Sequence, residues 1–148
     1  MLQSTRIKKQ KVPSPLLDIE WEGRREKMEF ICYPRCKTCQ KARKWLDEHG
    51  IEYIFRDIQT DNPSAEELRE FYVKSGLPLK RFWNTSGQKY RDLSLSKKLP
   101  TMSEEEQIAL LATDGMLVKR PILVGEDFVL IGFKEDAWEE TLSQYFRK

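Results

Sequence analysis

The chain has one histidine, three cysteines and no apolar run approaching the roughly 20 residues that a membrane-spanning helix requires. Each scarcity removes a class of function. With His49 as the only imidazole, a four-ligand zinc site would have to join it to Cys32, Cys36 and Cys39. Cys32 falls inside an apolar run and His49 lies more than two helical turns beyond Cys39, so the four do not converge and no metal is expected. Three cysteines, two of them close together, are too few for a disulfide framework and point instead to redox chemistry. The N-terminus lacks an apolar stretch followed by a small-residue cleavage site, so the expected location is cytoplasmic, without a membrane partner. Net charge is also nearly absent, with 26 Lys and Arg against 24 Asp and Glu. Seven of the basic and four of the acidic residues lie in residues 1–27, so the remainder holds 19 basic and 20 acidic side chains. Such a domain has no basic surface for direct nucleic-acid binding.

What is present is enough for one domain: 148 residues, 39% hydrophobic. Residues 1–27 show no helical or strand periodicity, contain the breaker Pro13-Ser14-Pro15 and end in a charged cluster, which reads as a disordered tail or a mis-assigned start. Gly23-Arg24-Arg25-Glu26-Lys27 is what a purine-rich bacterial ribosome-binding site would encode if translated in frame, so Met28 is the expected native start. From there the signals become regular. Glu29 to Tyr33 reads as a buried strand closed by Pro34. A helix starting near Cys36 places Cys39, Ala42 and Leu46 on one face and stops at Gly50. Tyr53 to Ile58 suits a second strand, completing a βαβ unit. Residues 59–116 are read as a mostly helical insert. Its helices open with the capping boxes Ser64/Glu67 and Ser103/Glu106, and its aromatics Tyr72, Phe82, Trp83 and Tyr90 are expected in its core. Pro121 to Val124 and Phe128 to Ile131, around a Gly125-Glu126-Asp127 turn, read as a hairpin. A final helix presents Trp138, Leu142, Tyr145 and Phe146 inward. The expected fold is α/β, in the order βαβ, helical insert, ββα, with a mixed four-stranded sheet.

The strand-to-helix turn carries Cys36-Lys37-Thr38-Cys39. A thiol attacks only as thiolate, a form favoured at a helix N-terminus beside cations. Cys36 meets both conditions, since orphan amides face it and Arg35 and Lys37 flank it. Cys39, one turn later, faces inward and can attack a mixed disulfide formed at Cys36. Cys32 reads as a small buried residue, although transient disulfides with it are open. Far along the chain, Arg120-Pro121 precedes the hairpin; a proline there is either an ordinary strand-edge proline or one whose preceding peptide bond is cis.

The segments CYPRCKTCQKARKWL (32–46), FWNTSGQKYRDL (82–93), MSEEEQIALLATDGMLVKRPILV (102–124) and IGF (131–133) resemble the arsenate reductase-like branch of the thioredoxin superfamily, which contains ArsC proteins and the Spx regulators. The resemblance spans residues 28–147 and is strongest to the small glutaredoxin-like members. It implies a thioredoxin-like fold and a thiol-disulfide oxidoreductase. Cys36 would be the nucleophile, Cys39 the resolving thiol, and Arg120 a catalytic cation, with Pro121, Lys37 and Thr38 contacting the substrate. No cofactor is implied beyond an external reductant of the glutathione, bacillithiol or thioredoxin type. The partner would be a small thiol or a disulfide-bearing protein. Two alternatives come with the family: an Spx-like redox switch binding the RNA polymerase α subunit, and a genuine arsenate reductase. Arsenate reductases of this fold hold the oxyanion with three arginines; Arg120 matches one, and the other two positions fall at Asn84 and Gly132.

Overall fold

The computed structural model describes residues 28–146; the tail expected over residues 1–27 lies outside them. Strand β1 (Met28–Cys32), helix α1 (Lys37–Glu48) and strand β2 (Tyr53–Asp57) form the βαβ unit, with β1 and β2 parallel and Cys32 opposite Asp57. Strand β3 (Ile122–Val124) runs antiparallel to β1 with Ile122 opposite Ile31, and β4 (Val129–Ile131) runs antiparallel to β3. The sheet order is β2-β1-β3-β4, the mixed four-stranded sheet of a thioredoxin-like fold.

Between β2 and β3 come helices α2 (Ala65–Ser75), α3 (Gln88–Asp92), α4 (Leu95–Lys98) and α5 (Glu104–Leu111), joined by 3-10 turns. Ser64 and Ser103 each complete a capping box with the glutamate three residues on, satisfying two orphan donors at each start. Each such cap stabilises its helix by about 1 kcal/mol. An antiparallel bridge between Trp83 and Val118, in a region without strand signals, pins the insert to the approach to β3. The chain passes so tightly at Gly115 that a Cβ there would stand 1.8 Å from the carbonyl oxygen of Ile58. Helix α6 (Glu135–Leu142) closes the fold, followed by a 3-10 turn, Ser143–Tyr145.

Element boundaries differ slightly from the sequence reading. Strand β1 ends at Cys32 because the Tyr33 carbonyl turns away to accept from the Cys36 amide at 2.9 Å. Strand β4 starts at Val129 because the Phe128 carbonyl is used by Gly125 to close the hairpin turn.

The pleat of β1 divides the core into two layers. Met28, Phe30 and Cys32 face α1 and α6, where they pack with Cys39, Ala42, Trp45, Leu46, Leu123, Trp138 and Leu142. Ile31 faces the opposite way, into a layer built with Ile58, Leu68, Phe71, Phe82, Trp83, Ile108 and Leu111. Tyr72 and Tyr90 pack on its edge, as expected of the insert aromatics. A buried cation ties the layers to the sheet edge. Arg56, 4% exposed, makes a bidentate ion pair with Glu67 at 2.9 Å, a longer one with Glu29 at 3.4 Å, and a hydrogen bond to the Asp61 carbonyl at 2.8 Å.

Candidate active site

The site is assembled where β1 gives way to α1. After Cys32 the chain turns through Tyr33, Pro34 and Arg35, and the bond from the Cys36 amide to the Tyr33 carbonyl closes the turn. Gln40 reinforces it from the helix, its side-chain amide donating to the Pro34 carbonyl at 2.9 Å. Cys36 is the N-cap residue of α1, with extended backbone angles and a side chain that makes no capping hydrogen bond. Its sulfur is therefore not engaged with the first-turn amides, which have no acceptors within the helix. Cys36 is half-buried, whereas Cys39 is 1% exposed.

Cys39 is the centre of a three-sulfur group. It shares one packed layer with Cys32, and Cys36 packs against that layer. The neighbouring Cys32, reinforced by burial, holds its proton and pushes its pKa well above the ordinary thiol range. All three cysteines are free thiols.

Across the sheet, the Arg120-Pro121 peptide bond is cis. Because Ile122 pairs with Ile31, Pro121 occupies the register position opposite Cys32, and its carbonyl accepts from the Gly132 amide at 2.8 Å. The guanidinium of Arg120 lies 5.3 Å from the ring centroid of Tyr33, over its face. Its Nε and Nη1 are buried and lack a hydrogen-bond partner. The arrangement leaves two buried donors of a cation without an acceptor beside the turn that carries the dithiol, which is chemistry suited to an anionic group. Tyr33 was not a candidate from sequence; only its place directly after β1 could have marked it.

The other sequence candidates fall around this centre. Lys37 and Thr38 are exposed on the first turn of α1. Asn84, at one of the positions where an oxyanion-binding arginine would stand, turns its amide to the Met116 carbonyl at 3.3 Å. Gly132, at the other, has φ of +74°, a conformation that an arginine would adopt only under strain. Arg91 bonds to the Ser86 carbonyl and to Gln88 of its own segment. His49 stacks on Trp45 at 4.0 Å and pairs through Nδ1 with the Trp45 carbonyl, away from the cysteines. Among the described residues no group of three His, Cys, Asp or Glu is arranged to hold a metal ion, and no helix is long and apolar enough to cross a membrane.

Residues 32–141, from the last position of β1 into α6, match the model of the ArsC family. The chain belongs to the ArsC family. It is 56% identical over 113 residues to the uncharacterized protein YusI of Bacillus subtilis, covering 76% of this chain and 96% of that one. It is 30% identical over 108 residues to the regulatory protein MgsR of the same organism, covering 73% and 84%. Among solved structures, an ArsC family related protein from Bacteroides fragilis is 61% identical with a TM-score of 0.75, covering 76% of this chain and 95% of its own. A protein named as a regulator thus stands among this chain's relatives.

Proposed function

We propose that this ArsC family member is a cytoplasmic thiol-disulfide oxidoreductase. One observation carries the reading: a half-exposed Cys36 at the N-cap of α1 packs against the layer that holds a buried, protonated Cys39. The first can attack while the second waits. The Cys36 thiolate attacks one sulfur of a substrate disulfide, forming a mixed disulfide and expelling the other sulfur as thiolate. Cys39 then loses its proton and attacks the Cys36 sulfur. This forms the Cys36–Cys39 disulfide and releases the second substrate thiolate. An external thiol of the glutathione, bacillithiol or thioredoxin type returns two electrons. Arg120 steadies negative charge on the incoming group, Pro121 orients its backbone, and Lys37 and Thr38 border the entry. Replacing Cys36 by Ser should abolish reduction of a test disulfide; activity persisting at the wild-type level would remove the assignment.

A second reading is favoured by the 30% identity to MgsR. In it the same dithiol is a switch, oxidation alters a binding surface, and the partner is the RNA polymerase α subunit, as the resemblance to Spx regulators implies. A pull-down with polymerase α, using oxidised and reduced protein, separates the two. Absence of binding in both states removes the switch. Arsenate is the weaker substrate reading, because Asn84 and Gly132 leave Arg120 without the two further arginines that would complete an oxyanion clamp.

A further inference from the structure

We propose that Cys32 is a third redox thiol and that this chain forms a buried Cys32–Cys39 disulfide which returns Cys36 to the free state. The proposal rests on the oxidoreductase reading for its first oxidation, and its own step is separate. Three observations carry it. The pleat of β1 turns Cys32 toward α1, on the same side as Cys39, and both belong to one packed layer with exposures of 2% and 1%. Cys36 packs against this same layer, so all three sulfurs belong to one packed group, and Cys32 is the largest influence holding the proton on Cys39. Cys36 alone is open to solvent, at the N-cap of α1, so a thiolate expelled there leaves into water.

The step is an isomerisation and needs no oxidant of its own. Starting from the Cys36–Cys39 disulfide, the Cys32 thiolate attacks the Cys39 sulfur. The 32–39 bond forms, the 36–39 bond breaks, and its electron pair leaves on the Cys36 sulfur. The proton given up by Cys32 is balanced by the one that solvent can return to Cys36. The step moves the disulfide from the half-exposed Cys36 into the buried layer, out of reach of external thiols. The result is an oxidised protein whose nucleophile is again available, so Cys36 can attack a second disulfide-bearing substrate, expelling one of its sulfurs as thiolate, while the first oxidising equivalent stays in the core.

The test needs no knowledge of the substrate. Trypsin cuts after Lys27, Arg35, Lys37 and Lys41, which puts Cys32, Cys36 and Cys39 on three separate peptides. The Cys36→Ser variant, treated with diamide while folded, should lose both remaining thiols to titration and yield the 28–35 peptide linked to the 38–41 peptide. Retention of both thiols in folded Cys36→Ser, while Cys32→Ser forms its 36–39 disulfide under the same treatment, overturns the proposal and leaves the oxidoreductase reading intact. If Cys36→Ser does not fold, wild-type protein oxidised with one equivalent of diamide and then alkylated natively decides it. Alkylated Cys36 together with a 32–39 link supports the relay; a 36–39 link with Cys32 as the sole free thiol contradicts it. Failure of Cys32→Ser to form any disulfide would count against the Cys36–Cys39 chemistry and not against the bond between Cys32 and Cys39.

Discussion

Cys32, the last residue of β1, and Cys39, in the first turn of α1, are buried in one packed layer. The neighbouring Cys32, with burial, keeps Cys39 protonated, and of the two motif thiols only Cys36 is open to an incoming substrate.

A pH dependence follows for the second step. With the Cys39 pKa raised above its ordinary 9.0, the attacking thiolate is a minor species at neutrality. Its population should rise about tenfold per pH unit until that raised value is reached. Single-turnover stopped flow on a preformed mixed disulfide should show the resolving rate climbing across the neutral to alkaline range. A flat profile would mean that Cys39 is not the resolving thiol or that its proton is lost before attack.

Arg120 offers two buried donors without acceptors, next to the turn that holds Cys36. A charge-assisted hydrogen bond contributes roughly 1.5–3 kcal/mol, equivalent to about 10- to 150-fold in kcat/KM. Arg120→Gln should cost that much with a carboxylate-bearing disulfide and much less with a neutral one of similar size. Equal losses on both substrates would show that Arg120 acts by packing on Tyr33 rather than by binding an anion.

Arg56 holds the edge strand to the insert. Burial alone would favour its neutral form, but Glu67, Glu29 and Asp61 surround it and keep it charged. Arg56→Ala leaves those carboxylates facing one another at the base of α2 and should lower stability by roughly 3–5 kcal/mol. Urea denaturation measures this directly. The double variant Arg56→Met, Glu67→Gln should recover part of the loss; a single variant within 1 kcal/mol, on the order of a surface change, would deny the cluster its structural role.

Local features were legible in the sequence, and features created by register were not. The dithiol at a strand-to-helix turn, the serine capping boxes and the hairpin after Pro121 are each written within a few residues, so their chemistry survives without coordinates. The family resemblance carried the placement of Arg120-Pro121 beside the dithiol, which spacing alone left open between two kinds of proline. The sequence places Cys32 in a buried strand, but its packing with Cys39 depends on which face of β1 is covered by α1, and that is decided by the packed helix. Arg56 sits in a strand with ordinary β-forming neighbours; its burial arises because Glu29, 27 residues earlier, and Glu67, 11 residues later, meet it in space. No window of the sequence contains that relationship.

The central claim is that Cys36 attacks and Cys39 resolves, and the most direct measurement is covalent trapping. Cys39→Ser, incubated with a test disulfide and quenched by alkylation, should accumulate one substrate moiety per chain on the 36–37 tryptic peptide by intact mass and peptide mapping. Cys36→Ser should accumulate none. No adduct on Cys39→Ser, or an equal adduct on Cys36→Ser, would contradict the assignment of nucleophile and resolving thiol.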